Sequence, residues 1–276
     1  MIPRYYNYKT ALIIFFMSLI AYLVLLIGFY YNDTLMGETS QAVRYVLLGF
    51  SQMILLAPLL LYVIGNKKSI KHAFRLRPVS GTAIRDIVMV GVGLFFLMEL
   101  MHLLGEHIFR IPSPVQSDLK VLLPINIFIL FFVAVIITPI VEEAVFRGYL
   151  LRVMLRSKYS PLLAITLSAL LFTLAHLNYL NAPGIFLAGM ILAYIAYTFY
   201  SIIPGIIIHA IFNTMVLIDI NLPQIRESIL YSRTYIVWII MIGGLLMLLL
   251  GLLNIKINVR VHRKRRTGKE GEDHAE

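Results

Sequence analysis

The chain of 276 residues contains no cysteine, which removes disulfides, thiolate nucleophiles and thiolate-bound metals together. It has no H-E-x-x-H helix for zinc and no G-x-S-x-G elbow for a serine nucleophile. No pair of apolar runs carries an aspartate on each that looks catalytic. There is no strong internal repeat, no low-complexity tract, and no stretch between apolar runs that reads as a soluble domain. Charge is sparse: only 14% of residues are Asp, Glu, Lys or Arg, and the acidic share is 14 residues.

What is there instead is hydrocarbon. Hydrophobic residues make up 60% of the chain and mean hydropathy is +0.86, whereas soluble domains run at about 45–50% apolar. A helix crossing the bilayer core needs about twenty apolar residues. Runs of that kind recur near 11–31, 42–64, 84–104, 124–146, 161–177, 184–200, 203–219 and 235–255. They predict an all-α, polytopic membrane helix bundle of about eight transmembrane helices. The fifth to seventh are short and closely spaced, which leaves room for one to be tilted, broken or re-entrant. The first run has too long an apolar core for a signal peptide and no A-x-A-like site after it, so it reads as a retained helix. Residues 1–255 therefore form one transmembrane domain. Residues 256–276, basic and then acidic, read as a solvated, disordered tail, with anionic lipid as the alternative contact.

The formal charge of +10 is topogenic in such a chain, and no nucleic-acid partner is expected. With the N-terminus placed in the cytoplasm, nineteen of the 24 lysines and arginines fall on that side. The other side holds Arg44, Arg110, Lys120, Arg226 and Arg233. This bias puts both termini in the cytoplasm, in agreement with an even number of spans.

Ionisable groups inside spans are costly and rare, so those present carry information. Glu142, Glu143 and Arg147 lie in the fourth run, His176 late in the fifth, and His209 and Asn213 in the seventh. On a helix Glu143 and Arg147 are i and i+4 and share a face, while Glu142 points about 100° away. Arg147 can thus neutralise Glu143 and leave Glu142 free. His209 and Asn213 are again i and i+4, and Phe172 sits one turn below His176. The fourth helix has no breaker before Ser160-Pro161 and is expected to continue to about Ser157. Glu142 and His176 lie equally far from a turn near Tyr159, roughly 25 Å along each helix at 1.5 Å per residue, so the two can face each other. His209 follows Pro204 closely, and reaching that height requires the 200–204 connection to dip into the membrane. Each feature also has a plain structural reading: an interhelical hydrogen bond for either histidine, a register-fixing ion pair for Glu143 and Arg147. Glu99, His102 and Glu106 share a face of the third run, but a second E-x-x-H is missing. Interfacial hydrogen bonding explains them better than a metal does.

With the common nucleophiles absent, the peptide-cutting chemistry that remains is direct hydrolysis: a carboxylate and a histidine activate water while a second polar pair receives the oxyanion. "EEAVFR" (Glu142 to Arg147) resembles E-E-x-x-x-R, "FTLAH" (Phe172 to His176) resembles F-x-x-x-H, and "HAIFN" (His209 to Asn213) resembles H-x-x-x-N. These are the three motifs of the CPBP intramembrane endopeptidases, the Abi or type II CAAX prenyl protease family. The resemblance spans about 124–220, the expected catalytic core. It implies Glu142 as general base, His176 as its partner in positioning water, His209 and Asn213 as oxyanion donors, and Glu143, Arg147 and Phe172 as supports. Metal-free hydrolysis is favoured over a zinc ion held by Glu142, His176 and His209. The expected partner is a hydrophobic or lipidated peptide or protein, and the expected location is the membrane, the plasma membrane if the source is prokaryotic. The competing classes are a non-enzymatic immunity or scaffold protein that docks through the same polar residues, and a transporter, which the lack of a two-fold repeat disfavours.

Reporter fusions at either terminus, and in the 67–85 loop, are expected to report the cytoplasm. A terminus found outside overturns the orientation drawn from the Lys/Arg bias.

Overall fold

The computed structural model describes residues 8–36, 41–109, 127–157, 159–178, 181–221 and 234–272. Among them there are helices and turns but no strand. In chain order the helices are α1 (Tyr8–Met36), α2 (Gln41–Gly65), the short α3 (Ile70–Ala73), α4 (Gly81–Phe109), α5 (Ile127–Arg156), α6 (Pro161–Ala175), α7 (Ala182–Phe199), α8 (Ile203–Asn221) and α9 (Thr234–Glu272). Five of them have the length and composition to cross a membrane, and three shorter apolar segments lie in α2, α6 and α8. This is the all-α bundle that hydropathy predicts, with most element bounds within about five residues of the expected runs; α5 and α9 run further, to Arg156 and Glu272.

Local chemistry explains the boundaries around the core. Ser160 caps α6, its Oγ accepting from the Leu163 N–H at 3.3 Å, and Pro161 occupies the first turn, where a missing N–H costs nothing. Tyr200 ends α7 in the left-handed region at φ 50°. The Tyr200–Ile202 connection is then held from the loop between α3 and α4: Ser201 Oγ donates to the Arg77 carbonyl at 2.6 Å, and the Ile202 N–H to the Arg75 carbonyl at 3.2 Å. Ser201 and Ile202 are each 1% exposed, while Tyr200 is 44% exposed. Two of the three residues of this connection are thus buried in protein, with these polar groups paired.

The winding of α5 departs from expectation. It is α-helical at Ile127–Phe131, widens to π geometry at Phe132–Ile137, returns to α at Thr138–Glu142, widens again at Glu143–Leu151 and closes as α over Arg152–Arg156. The first wide segment precedes Pro139, and the Thr138 N–H bonds the Val133 carbonyl. In that register the next donor would be residue 139, a proline without an N–H, so the Ala134 carbonyl is left over. Asn213 of α8 fills the gap, donating from Nδ2 to the Ala134 carbonyl at 2.7 Å.

Helix α9 runs through residue 256, where a disordered tail was expected to begin, and continues to Glu272. Its Arg, Lys and Glu residues are good helix formers and no proline interrupts them. It packs along α4 so closely that a Cβ on Gly93 would lie 2.5 Å from the Leu248 backbone N. At one end of this contact Asp86, 0% exposed, accepts from Asn254 Nδ2 at 3.3 Å and Asn258 Nδ2 at 3.1 Å, and pairs with Arg85 at 2.9 Å.

Candidate active site

The second wide segment of α5 carries the site, and every residue from Val141 to Leu150 is buried. Glu143 and Arg147, both fully buried, form an ion pair with Oε1 and Nη1 2.9 Å apart, though the contact lacks hydrogen-bond alignment. Arg147 Nη2 donates to the Gly189 carbonyl of α7 at 3.2 Å, and the guanidinium lies over the Phe172 ring, 4.1 Å from its centroid. On the far side the Glu143 carboxylate rests against Gly205 of α8. A Cβ there would come within 2.6 Å of Oε2, so glycine is what admits the carboxylate.

Glu142 turns away from this pair, as the helical spacing predicts. Its Oε2 lies 3.9 Å from His176 Nε2 and 3.8 Å from His209 Nε2. Both gaps are too long for direct hydrogen bonds, and they allow a water oxygen about 2.8 Å from the carboxylate and an imidazole at once. Oε2 is buried and has no hydrogen-bond partner among the described residues. His176 stands just past the end of α6, with Nδ1 2.7 Å from the Phe172 carbonyl. A carbonyl can only accept, so Nδ1 carries the hydrogen and Nε2 presents its lone pair toward Glu142. The ring is partly open, its side chain 30% accessible, whereas His209 is closed in at 7%. His209 bridges the two carboxylates, its Nδ1 lying 3.6 Å from Glu143 Oε1. Phe172 is the common wall, with ring centroids 4.4 Å from His176, 6.2 Å from His209 and 5.2 Å from Phe146.

Six of the residues singled out in the sequence therefore converge: Glu142, Glu143, Arg147, Phe172, His176 and His209. Asn213 stands one turn beyond His209, and its recorded hydrogen bond is to Ala134, not to a carboxylate. Glu99 and His102 lie apart on α4, and the Glu106 side chain is outside the described residues. Among the described residues no group of three His, Asp or Glu side chains is spaced to hold a metal ion. A zinc ion with ligands at about 2.0–2.1 Å needs tetrahedral edges of about 3.4 Å, shorter than both Glu142–imidazole gaps, so as placed these three do not fit it.

Two polar neighbours escape the motif search. Tyr22 of α1 and Gln52 of α2, 8% and 6% exposed, are buried polar side chains on helices that pack against α5. An amide in the apolar run "GFSQMILL" was the available signal.

The site is thus a buried carboxylate faced by two imidazoles among helices of membrane-spanning composition. Residues 124–215, which run into α8, match the family model for Type II CAAX prenyl endopeptidase Rce1-like proteins, so this third of the chain is similar to a family of CAAX-type intramembrane peptide hydrolases. No curated protein and no solved structure matches.

Removing one partner of a buried ion pair commonly costs 3–5 kcal/mol, whereas replacing both by apolar groups is often neutral. Arg147→Leu is expected to lower the melting temperature sharply in detergent, and Arg147→Leu with Glu143→Leu to recover most of the loss. A double variant that melts lower than Arg147→Leu overturns the account of the pair.

Proposed function

We propose that this protein is an intramembrane endopeptidase that hydrolyses a peptide bond in a hydrophobic or lipidated peptide or protein, using water activated between Glu142 and His176. The observation that carries the reading is the Glu142 carboxylate itself: buried, released from Arg147 by Glu143, and faced by two imidazole Nε2 atoms. Glu142 accepts a proton as the water oxygen attacks the scissile carbonyl, and the His176 Nε2 lone pair accepts the water's other hydrogen and fixes its direction. His209 donates from Nε2 to the oxyanion, and the Glu143 carboxylate beside Nδ1 compensates a proton held there. Asn213 carries two N–H groups on Nδ2. One is committed to Ala134 and the second serves the oxyanion. On collapse the C–N bond breaks, Glu142 returns its proton to the leaving nitrogen, and an amine and a carboxylic acid depart, the acid losing its remaining proton to solvent.

The chain is read as multi-pass with both termini in the cytoplasm, in the plasma membrane if the source is prokaryotic. The basic stretch of α9 is read as meeting anionic lipid headgroups, and nucleic acid is not a partner. Hydrolysis is read as metal-free, a reading that the 3.8 and 3.9 Å gaps between Glu142 and the two imidazoles support.

Glu142→Gln keeps shape but cannot take the proton. It is expected to abolish cleavage without lowering the melting temperature and to retain substrate peptides that mass spectrometry identifies and the wild type cuts. Activity is expected to survive exhaustive chelation. Metal whose removal abolishes cleavage, restored on its return, overturns the metal-free step, and a Glu142→Gln protein whose retained peptides the wild type leaves intact favours the docking alternative.

Asn213→Ala is expected to lower kcat by about 10²–10³, the usual cost of one oxyanion donor, with KM little changed. Loss of stability with kcat intact assigns Asn213 to the Ala134 carbonyl alone.

A further inference from the structure

Three arginines among the described side chains are drawn out of water, and two of them are answered. Arg147 has Glu143 and the Gly189 carbonyl, and Arg152, 8% exposed, donates from Nη1 to the His72 and Ala73 carbonyls. Arg75, in the loop between α3 and α4, is half-buried and forms no ion pair among the described residues. Its guanidinium lies over the Tyr200 ring, 5.4 Å from the centroid, which offers the cation a face but no opposite charge. Its Nη1 is buried without a hydrogen-bond partner among the described residues. A guanidinium taken from water with its charge unanswered is costly, so this one calls for an anion from outside the chain.

The surroundings are built for that. Arg75 and Tyr200 both hold left-handed backbone, at φ 55° and 50°, a conformation that a non-glycine residue keeps where its neighbours fix it and that gathers at ligand clamps. What fixes it here is the pair of bonds between the two segments, from Ser201 Oγ to the Arg77 carbonyl and from the Ile202 N–H to the Arg75 carbonyl. The end of α5 joins them through Arg152, and Arg156, one turn further, shares its face. Segments 66–80, 148–157 and 197–204 together carry seven lysines and arginines and no aspartate or glutamate. Burial, then the like charges of Arg156 and Arg77, hold the Arg75 guanidinium below its usual value.

The kind of anion follows from where the pair lies and from what its donors match. Helices α2, α5 and α7 end here and α4, α6 and α8 begin, so the pair stands where membrane-spanning helices meet the headgroups, a level that favours tyrosine and arginine. Tyr200 is itself 44% exposed. The planar fork of an arginine matches two phosphate oxygens, and stacking on a ring leaves the other N–H groups on its edge to reach them. We propose that Arg75, seated on Tyr200, binds the phosphate of an anionic phospholipid headgroup and so ties the α3–α4 loop to the α7–α8 connection. The site is separate from the basic stretch of α9 and does not rest on the catalytic reading. It braces the start of the helix on which His209 stands about two turns later.

The full chain in phosphatidylcholine nanodiscs, with and without phosphatidylglycerol, tests it. Phosphatidylglycerol is expected to raise the wild-type melting temperature by about 5 °C. Arg75→Gln should lose most of that rise, whereas Lys71→Gln, the same change of charge on an exposed side chain of α3, should keep it. A rise kept by Arg75→Gln, or lost equally in both variants, assigns the effect to a diffuse basic surface and overturns the proposal, as does a wild type that phosphatidylglycerol leaves unchanged. An Arg75-dependent rise produced by inorganic phosphate in phosphatidylcholine discs overturns the lipid as the source. Photolabelling the wild type needs no variant to fold: phosphatidylglycerol with a diazirine beside its headgroup is expected to mark 66–80 or 197–204. Label confined to other segments, the basic stretch of α9 included, overturns the proposal.

Discussion

The site depends on one compensated charge. Arg147 is among the largest side chains at full burial, and a guanidinium at that depth survives only if its surroundings answer it. Glu143 supplies the opposite charge, the Gly189 carbonyl an acceptor, and the Phe172 ring a face for the cation. These come from α5, α7 and α6, so the same contacts that tolerate the charge also fasten three helices together. Gly205 adds α8 by making room for the carboxylate. With Glu143 fully engaged, the adjacent Glu142 is the carboxylate left to face the histidines.

Phe172 links this support to the chemistry. It packs on Arg147 with its ring and fixes the His176 tautomer with its carbonyl. One residue thereby conveys the position of the buried ion pair to the imidazole that faces Glu142. The second wide segment of α5 belongs to the same arrangement. With more residues per turn than an α-helix, it keeps Glu143 and Arg147 on a shared face and brings the Phe146 carbonyl to Ser168 Oγ of α6, which donates at 3.1 Å.

How much of this the residues announce depends on how local the cause is. The i, i+4 spacing of Glu143 and Arg147 fixes their partnership on any helix of nearly regular pitch, and the separation of Glu142 from its neighbour follows. The facing of Glu142 and His176 is arithmetic along a hairpin with a readable turn at Ser160-Pro161. The wide turns of α5 are not readable from a 3.6-residue period, although Pro139 accounts for the first of them once the register is known. Asn213 reads equally as glue or donor from its spacing with His209, because its partner Ala134 lies on another helix. Tyr22, Gln52 and Asp86 are hidden for the same reason: each acquires its meaning from a segment far away in the chain. The helical course of 256–272 follows helix propensity, whereas the basic and then acidic charge of that stretch points to a solvated tail.

The clamp between Asp86 and α9 bears on how the molecule is built. A carboxylate that ends at 0% exposure takes both of its amide donors from Asn254 and Asn258, 168 and 172 positions later in the chain. During synthesis, which proceeds from the N-terminus, α4 enters the membrane long before those amides exist, with Arg85 beside it as the neighbour already made. Until the ribosome delivers α9, Asp86 has Arg85 but neither of its two amide donors. Completion of this contact is therefore a C-terminal event, and a chain cut short before residue 254 keeps the Arg85–Asp86 pair but lacks both amides.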